Sequence, residues 1–80
     1  MAQNVVIYTT PTCKFCHATK EFFKEHGVAF TEHDVFVDAQ ARADMVGKSG
    51  QLGVPVVDID GKIVVGFDKA RLREYLQING

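Results

Sequence analysis

The fold of this chain is decided by residues 5–16, which read VVIYTTPTCKFC. The first five are apolar and β-branched, as expected of a buried strand. Pro11 interrupts this run just before a helical pattern begins near Lys14. The two cysteines of the chain, Cys13 and Cys16, therefore lie at a strand-to-helix turn, and their i, i+3 spacing can close a small disulfide.

This turn suits a reactive thiol. A sulfur at a helix N-terminus faces unpaired backbone N–H groups and the positive end of the helix dipole, and both favour the thiolate. Cys13 is therefore the predicted nucleophile. Cys16 lies one turn further along the same helix face, where it can attack a mixed disulfide formed at Cys13 and release the product.

Three other uses of the cysteine pair compete with redox chemistry. With His17 the pair completes the C-x-x-C-H pattern of haem attachment, but such cytochromes are mostly helical and exported, whereas this chain has several strand-like runs. A zinc site would combine Cys13 and Cys16 with His17, His26 or His33, but zinc usually takes two matched ligand pairs. The third alternative is that both cysteines simply pack as small apolar groups. The sequence favours the redox use.

Length and composition limit the other functions open to the chain. Its 80 residues predict a single domain, 1–80, with one modest core. Lys and Arg total 9 against 10 Asp and Glu, so the net charge of -1 provides no broad field for nucleic acid or anionic lipid. The N-terminal MAQN lacks the basic region of an export signal, and no apolar run suits a membrane span. We expect a cytoplasmic monomer, and in that reducing compartment a C-x-x-C pair is more often catalytic than structural.

Periodicity predicts the element order βαβαββα. The first strand is followed by a helix over residues 14–26 that ends at Gly27, and then by a strand over residues 28–37. Strand, helix and strand in this order predict a right-handed parallel crossover. The predicted inward stripe of the helix consists of Phe15, Thr19, Phe22, Phe23 and His26.

The second half of the chain adds a helix, a hairpin and a last helix. Asp38 is the predicted cap of a helix over residues 39–48. Strands over residues 54–59 and 62–65 flank an Asp-Gly hairpin signal and are therefore antiparallel. Asp68 is the predicted cap of the last helix. The predicted inward residues of the two helices are Ala43, Met45 and Val46, and Ala70, Leu72, Tyr75, Leu76 and Ile78.

With these elements in place, the chain resembles the glutaredoxins over nearly its whole length. The motifs that carry the resemblance are VIYT (6–9) leading into CKFCH (13–17), KSG (48–50) ahead of GVPV (53–56), and GFD (66–68) opening the last helix. The resemblance implies an α/β, thioredoxin-like fold with a four-stranded mixed sheet flanked by three helices. It further implies thiol–disulfide exchange through a redox-active Cys13–Cys16 disulfide, with no bound cofactor or metal.

The resemblance also implies a substrate groove. In such proteins the peptide bond corresponding to Val54–Pro55 is cis and lies against the disulfide, which leaves the Val54 N–H and C=O able to pair with an extended substrate. On the residues alone, Pro55 could equally mark a strand start. Phe15 is interpreted either as one wall of the groove or as a cap on the core.

A second part of the implied groove is the turn before the last helix. By resemblance, Gly66, Phe67 and Asp68 receive the glutamyl end of glutathione, and a carboxylate at a helix N-terminus does meet free N–H donors. The alternative interpretation of the same residues is a plain turn with a helix cap. Glutathione is accordingly the expected co-substrate and electron donor.

Three positions depart from the glutaredoxin pattern, and all fall at this implied glutathione site. Thr10 stands where many members carry a basic residue, Val65 stands where they carry Gly, and Lys69 stands where they carry a second acid. Loss of the cation at Thr10 removes a partner for the glycyl carboxylate, and Val65 adds bulk where a backbone must approach closely. Weak glutathione binding is therefore expected.

These departures leave two further interpretations open. The same features are similar to those of hydrogen-donor redoxins, which reduce ribonucleotide reductase and are themselves reduced by thioredoxin reductase. A glutaredoxin-like iron–sulfur carrier would instead hold a cluster between two protomers through Cys13 and glutathione. The second thiol, Cys16, argues against that carrier because it lets Cys13 form a disulfide rather than remain a free ligand.

Overall fold

A computed structural model describes residues 4–77 of the chain. Its elements are β1 (Val5–Thr9), α1 (Lys14–Glu25), β2 (Thr31–Asp34), α2 (Ala39–Ser49), β3 (Val56–Ile59), β4 (Lys62–Val65) and α3 (Lys69–Leu76). The predicted order βαβαββα is confirmed, as is the mixed four-stranded sheet with three helices. The predicted inward position of Ile78 lies outside the described residues.

The strands are ordered β2-β1-β3-β4 across the sheet. β1 is parallel to β2 and antiparallel to β3, and β4 is antiparallel to β3. The register pairs Thr9 with Asp34, Tyr8 with Val56, and Val56 with Val65. As a result, the ends of β1, β2 and β4 and the start of β3 all meet at one edge of the sheet, which we call the upper edge.

Each face of the sheet carries its own apolar cluster, because successive strand side chains point to opposite faces. α1 and α3 cover one face and α2 covers the other. The buried residues of the first cluster are Val5, Ile7, Phe22, Phe23, Val57, Ile59, Val64, Leu72 and Leu76. Those of the second are Tyr8, Val35, Ala41, Met45 and Val56. Both faces of β1 and β3 are thus buried, which fixes the upper edge rigidly.

The predicted helix caps are confirmed at both aspartates. An Asp38 carboxylate oxygen accepts the N–H of Ala41 at 3.0 Å, and the Asp68 carboxylate accepts the N–H of Arg71 at 3.1 Å. At the end of α1, Gly27 follows the cap residue rather than forming it. Its φ of 66° and the hydrogen bond from Val28 N–H to Phe23 O at 2.8 Å satisfy the last carbonyls of the helix.

The predicted second strand over residues 28–37 is too long, because hydrogen bonds turn the chain at both of its ends. Val28 still belongs to the end of α1 through its bond to Phe23. Beyond β2, Asp34 accepts the N–H of Phe36 through its side chain at 2.9 Å and that of Asp38 through its carbonyl at 3.1 Å. Asp34 therefore starts a turn, and β2 is confined to Thr31–Asp34.

Some predicted inward positions are also wrong. In α2 the buried residues are Ala41 and Met45, one turn apart, whereas Ala43 is exposed because it lies about 200° around the helix from Ala41. Ala70 in α3 is exposed as well. β3 begins at Val56 rather than at residue 54, since Pro55 has no N–H to give to the ladder.

Candidate active site

The disulfide between Cys13 and Cys16 lies where β1 leads into α1, with the two Cα atoms 5.2 Å apart. Cys13 is the N-cap residue of α1 and has extended backbone angles. Its N–H donates to the carbonyl of Thr10 at 3.3 Å, and its own carbonyl accepts the N–H of His17 at 3.3 Å. Backbone hydrogen bonds on both sides therefore hold this sulfur at the helix start, above the upper edge.

The two sulfurs occupy different environments. Cys13 is half-buried, whereas only 1% of Cys16 is exposed. The N–H of Cys16 donates to Cys13 Sγ at 3.0 Å. Such a hydrogen bond stabilises negative charge on the accepting sulfur, and the helix dipole acts in the same direction. In the reduced protein, Cys13 is therefore the sulfur that is accessible to solvent and lies next to the backbone N–H groups at the start of α1.

A polar network lies between α1 and the first two strands. Thr9, only 2% exposed, donates its hydroxyl to Glu32 Oε2 at 2.7 Å, and Lys20 Nζ lies 2.9 Å from the same oxygen. The hydrogen bond from Thr9, then that from Lys20, lowers the pKa of the Glu32 carboxyl below its ordinary value. Because these residues belong to β1, β2 and α1, the network fixes the helix that carries both cysteines against the sheet.

A second network holds the side chain of Lys48 on the opposite face of the sheet. Lys48 Nζ donates to the hydroxyl of Tyr8 at 2.8 Å and lies 2.8 Å from Asp58 Oδ2. The Asp58 carboxylate, followed by the Tyr8 hydroxyl, raises the pKa of Lys48 well above its ordinary value. The guanidinium of Arg42 donates to the carbonyl of Val35 at 3.3 Å. Sequence reasoning did not find these partners, since each connects residues from different elements.

Several of the predicted substrate residues come together at the upper edge. The Val54–Pro55 peptide bond is cis, as the resemblance implied. β1 and β3 pair as far as Tyr8 and Val56, so Thr10 follows the end of one strand and Val54 precedes the start of the other. Gly66, with a φ of 80°, donates its N–H to the carbonyl of Pro55 at 2.8 Å. Thr10, Val54, Pro55 and Gly66 all lie where strands end or begin at the upper edge, and together we call them the row.

The remaining predicted residues flank this row. Phe15 is 62% exposed, so the interpretation that it caps the core is wrong. Phe67 is half-buried, and its ring packs edge-on against that of Phe22 with centroids 6.3 Å apart. Asp68 caps α3 as described above. Phe67 and Asp68 thus lie between Gly66 and α3, and Phe15 lies in α1 between the two cysteines.

Residues 4–77 contain neither a candidate metal site nor a helix that could span a membrane. No group of three or more His, Cys, Asp or Glu side chains within this range is arranged to hold a metal ion. None of the helices in the same range is long and apolar enough to cross a membrane. The four-stranded sheet also differs from the mostly helical fold that haem attachment would require.

Comparison with known proteins identifies similar chains along nearly the whole length. A family model described as Glutaredoxin matches residues 5–64. An uncharacterized glutaredoxin-like 8.6 kDa protein in the rubredoxin operon of Clostridium pasteurianum is 42% identical over 73 residues, which cover 91% of this chain and 97% of that protein. Glutaredoxin 3 of Escherichia coli K12 is 38% identical over 65 residues, covering 81% and 78%. The crystal structure of the thioredoxin-like protein BC3987 superposes with a TM-score of 0.85 at 38% identity, covering 90% of this chain and 99% of that one.

Proposed function

The chain belongs to the glutaredoxin family, and on that premise we propose that it reduces disulfides or glutathione mixed disulfides by thiol–disulfide exchange. It is a glutaredoxin-like thiol redox protein with a Cys13–Cys16 pair. The single observation that carries the proposal is the asymmetry of this pair. Cys13 is the half-buried cap of α1 and accepts the N–H of Cys16, while Cys16 is buried.

The proposed reaction has two exchange steps. The Cys13 thiolate attacks one sulfur of the substrate disulfide, forms a mixed disulfide with it and expels the other sulfur as a thiolate. The sulfur of Cys16, having lost its proton to solvent, then attacks Cys13, restores the Cys13–Cys16 disulfide and releases the second substrate thiolate. Both leaving thiolates take a proton from water. Two electrons pass from the protein dithiol to the substrate.

The row at the upper edge supplies the proposed substrate groove. An extended substrate chain would pair with the Val54 backbone beside Thr10, with Phe15 as one wall. For glutathione, the α-carboxylate of the glutamyl end would meet the start of α3 at Gly66, Phe67 and Asp68. We propose glutathione as co-substrate and as one electron donor, in the reducing cytoplasm.

A second candidate function is that of a hydrogen donor reduced by thioredoxin reductase, with ribonucleotide reductase among its protein substrates. The observation that favours it is that neither position 10 nor Lys48 offers a free cation to a glutathione carboxylate. Thr10 is neutral, and Lys48, which could have served a carboxylate, is engaged by Asp58 and Tyr8. Both candidates use the same two exchange steps and differ in the reductant.

The test is NADPH-coupled turnover of 2-hydroxyethyl disulfide with two alternative reductants, glutathione with glutathione reductase, and thioredoxin reductase. We expect the wild-type protein to turn over with at least one of them, and the Cys13→Ser variant with neither. Turnover only with thioredoxin reductase would select the second candidate. Turnover by Cys13→Ser at the wild-type rate, or no turnover by the wild-type protein with either reductant, would refute the proposed function.

A further inference from the structure

The large apolar side chains that are exposed in residues 4–77 are not scattered over the surface. Exposed apolar residues normally occur singly, whereas a cluster marks a site of interaction. Here all of them belong to segments that meet at the upper edge. They are Phe15 (62% exposed), Phe36 (73%), Val37 (75%), Leu52 (69%) and Val65 (46%), and together we call them the apolar rim.

Register and hydrogen bonds place the apolar rim along the whole row of strand ends. Phe15 stands between the two cysteines. Phe36 and Val37 directly follow Val35, whose N–H donates to the carbonyl of Thr9 at 2.9 Å. At the other side, Leu52 lies two residues before Val54.

Val65 completes the apolar rim at the end of β4. It pairs with Val56, the first residue of β3. The apolar rim therefore extends from β2 to β4 on either side of the disulfide. A substrate that brings its own disulfide to Cys13 must lie over or beside these side chains.

Several charged groups around the same edge have partners within the chain. Each of the three aspartates there accepts a backbone N–H: Asp34 from Phe36, Asp38 from Ala41, and Asp68 from Arg71. The cations Arg42 and Lys48 donate to Val35 O and to Tyr8 and Asp58. Lys14 is exposed beside Cys13. Glutathione, which carries two carboxylates and an ammonium group, offers the apolar rim little apolar surface, whereas an apolar polypeptide complements it.

We propose that the apolar rim selects, as substrates, polypeptide disulfides whose neighbouring residues are apolar, in preference to glutathione disulfide and to polar peptides. This inference rests on the proposed function and uses its two exchange steps unchanged. Contact with apolar side chains removes water from both surfaces and so favours the encounter complex that precedes attack by Cys13.

Two synthetic peptides test this selection. Each is a symmetric disulfide-linked dimer of one peptide, equal in length and net charge, with the cysteine flanked by Leu and Phe in one and by Gln and Ser in the other. Excess reduced protein is mixed with each peptide, with glutathione disulfide or with 2-hydroxyethyl disulfide, and samples are quenched in acid and quantified by mass spectrometry. We expect the apolar peptide to react roughly tenfold faster than the polar one, consistent with partial burial of one or two side chains.

Variants then assign the preference to the apolar rim. Leu52→Gln and Phe36→Gln should each lower the ratio of the two peptide rate constants by about threefold. Ala29→Gln is the matched control, because Ala29 is exposed near the start of β2 at the opposite edge, and it should leave the ratio unchanged. Urea unfolding midpoints confirm that all variants are folded.

The possible failures can be distinguished. If the wild-type protein reduces 2-hydroxyethyl disulfide but shows a peptide ratio near one, the inference is refuted and the proposed function stands. A ratio that survives both Leu52→Gln and Phe36→Gln also refutes the assignment to the apolar rim. If none of the four disulfides is reduced, the proposed function fails.

Discussion

Replacement by alanine should change the stability of the protein in opposite directions at Gly47, within α2, and at Gly50, which follows it. A Cβ added at Gly47 or at Gly50 would meet no heavy atom within 4 Å, so packing does not distinguish the two sites. Backbone conformation does. Gly47 lies within the helix, whereas Gly50 ends it with a φ of 74° and donates its N–H to the carbonyl of Val46.

The expected magnitudes follow from this contrast. Gly47→Ala should raise the free energy of unfolding by about 0.5–1 kcal/mol, because alanine loses less backbone entropy on folding into a helix. Gly50→Ala should lower it by about 1–2 kcal/mol, since an L residue is strained in the left-handed region. For a domain of this size, 1 kcal/mol corresponds to a Tm shift of roughly 4–8 °C.

Urea unfolding followed by circular dichroism, with calorimetric Tm as a second measurement, checks both values. The reasoning would be refuted if Gly50→Ala were as stable as the wild-type protein, or if Gly47→Ala were less stable. The first result would mean that α2 does not end at a left-handed Gly50, and the second that Gly47 does not lie in regular helix. Turnover should be unaffected by Gly47→Ala, because that residue is exposed on α2 and an added Cβ would meet no other side chain within 4 Å.

Three further predictions concern charge and glutathione. Because the pKa of the Glu32 carboxyl is lowered in the folded protein, its charge stabilises the fold at pH values above the unfolded pKa of about 4.3, and this stabilisation is lost as the pH falls through the folded pKa. The urea midpoint of the wild-type protein should therefore fall more steeply below pH ~4.3 than that of Glu32→Gln. Parallel curves would contradict the network. In the reduced protein, the dependence of alkylation rate on pH should give a pKa for Cys13 below the free-thiol value of about 8.5 and a pKa for Cys16 above it. A Cys13 pKa at or above that value would contradict stabilisation of its thiolate by the helix start. Thr10→Lys and Val65→Gly should each raise kcat/KM for a glutathionylated peptide about two- to tenfold. Turnover with thioredoxin reductase should change less. An equal gain in kcat/KM from Ala29→Lys, which adds a cation at the opposite edge, would show a general charge effect.

Local hydrogen bonding explains which features were predictable from the sequence. The cysteine turn, the caps at Asp38 and Asp68 and the hairpin after Ile59 depend on residues within four positions of each other, and all are present in the structure. The length of β2 was not predictable by alternation, because the bonds of Val28 and Asp34 that end it compete with strand pairing.

The site was predictable in part for the same reason. Resemblance gave the residues proposed for the groove, and a hydrogen bond joins two of them, Gly66 and Pro55. The bond from Thr9 to Glu32 spans 23 positions, and that from Lys48 to Tyr8 spans 40. Neither partner can be assigned before the strand order is known. The apolar rim was likewise hidden, since its residues come from segments that only the sheet brings to one edge.

The central claim is that Cys13 attacks the substrate and Cys16 resolves the intermediate, and single-cysteine variants test it most directly. Each reduced variant is mixed with glutathione disulfide near neutral pH, and the mixed disulfide is followed over time by intact mass and located by peptide mapping. Cys16→Ser should form a stable adduct at Cys13 rapidly, because that sulfur is accessible and lies at the start of α1, whereas Cys13→Ser should form one at Cys16 at least tenfold more slowly. Adduct formation at Cys16 in Cys13→Ser as fast as, or faster than, at Cys13 in Cys16→Ser would contradict the account.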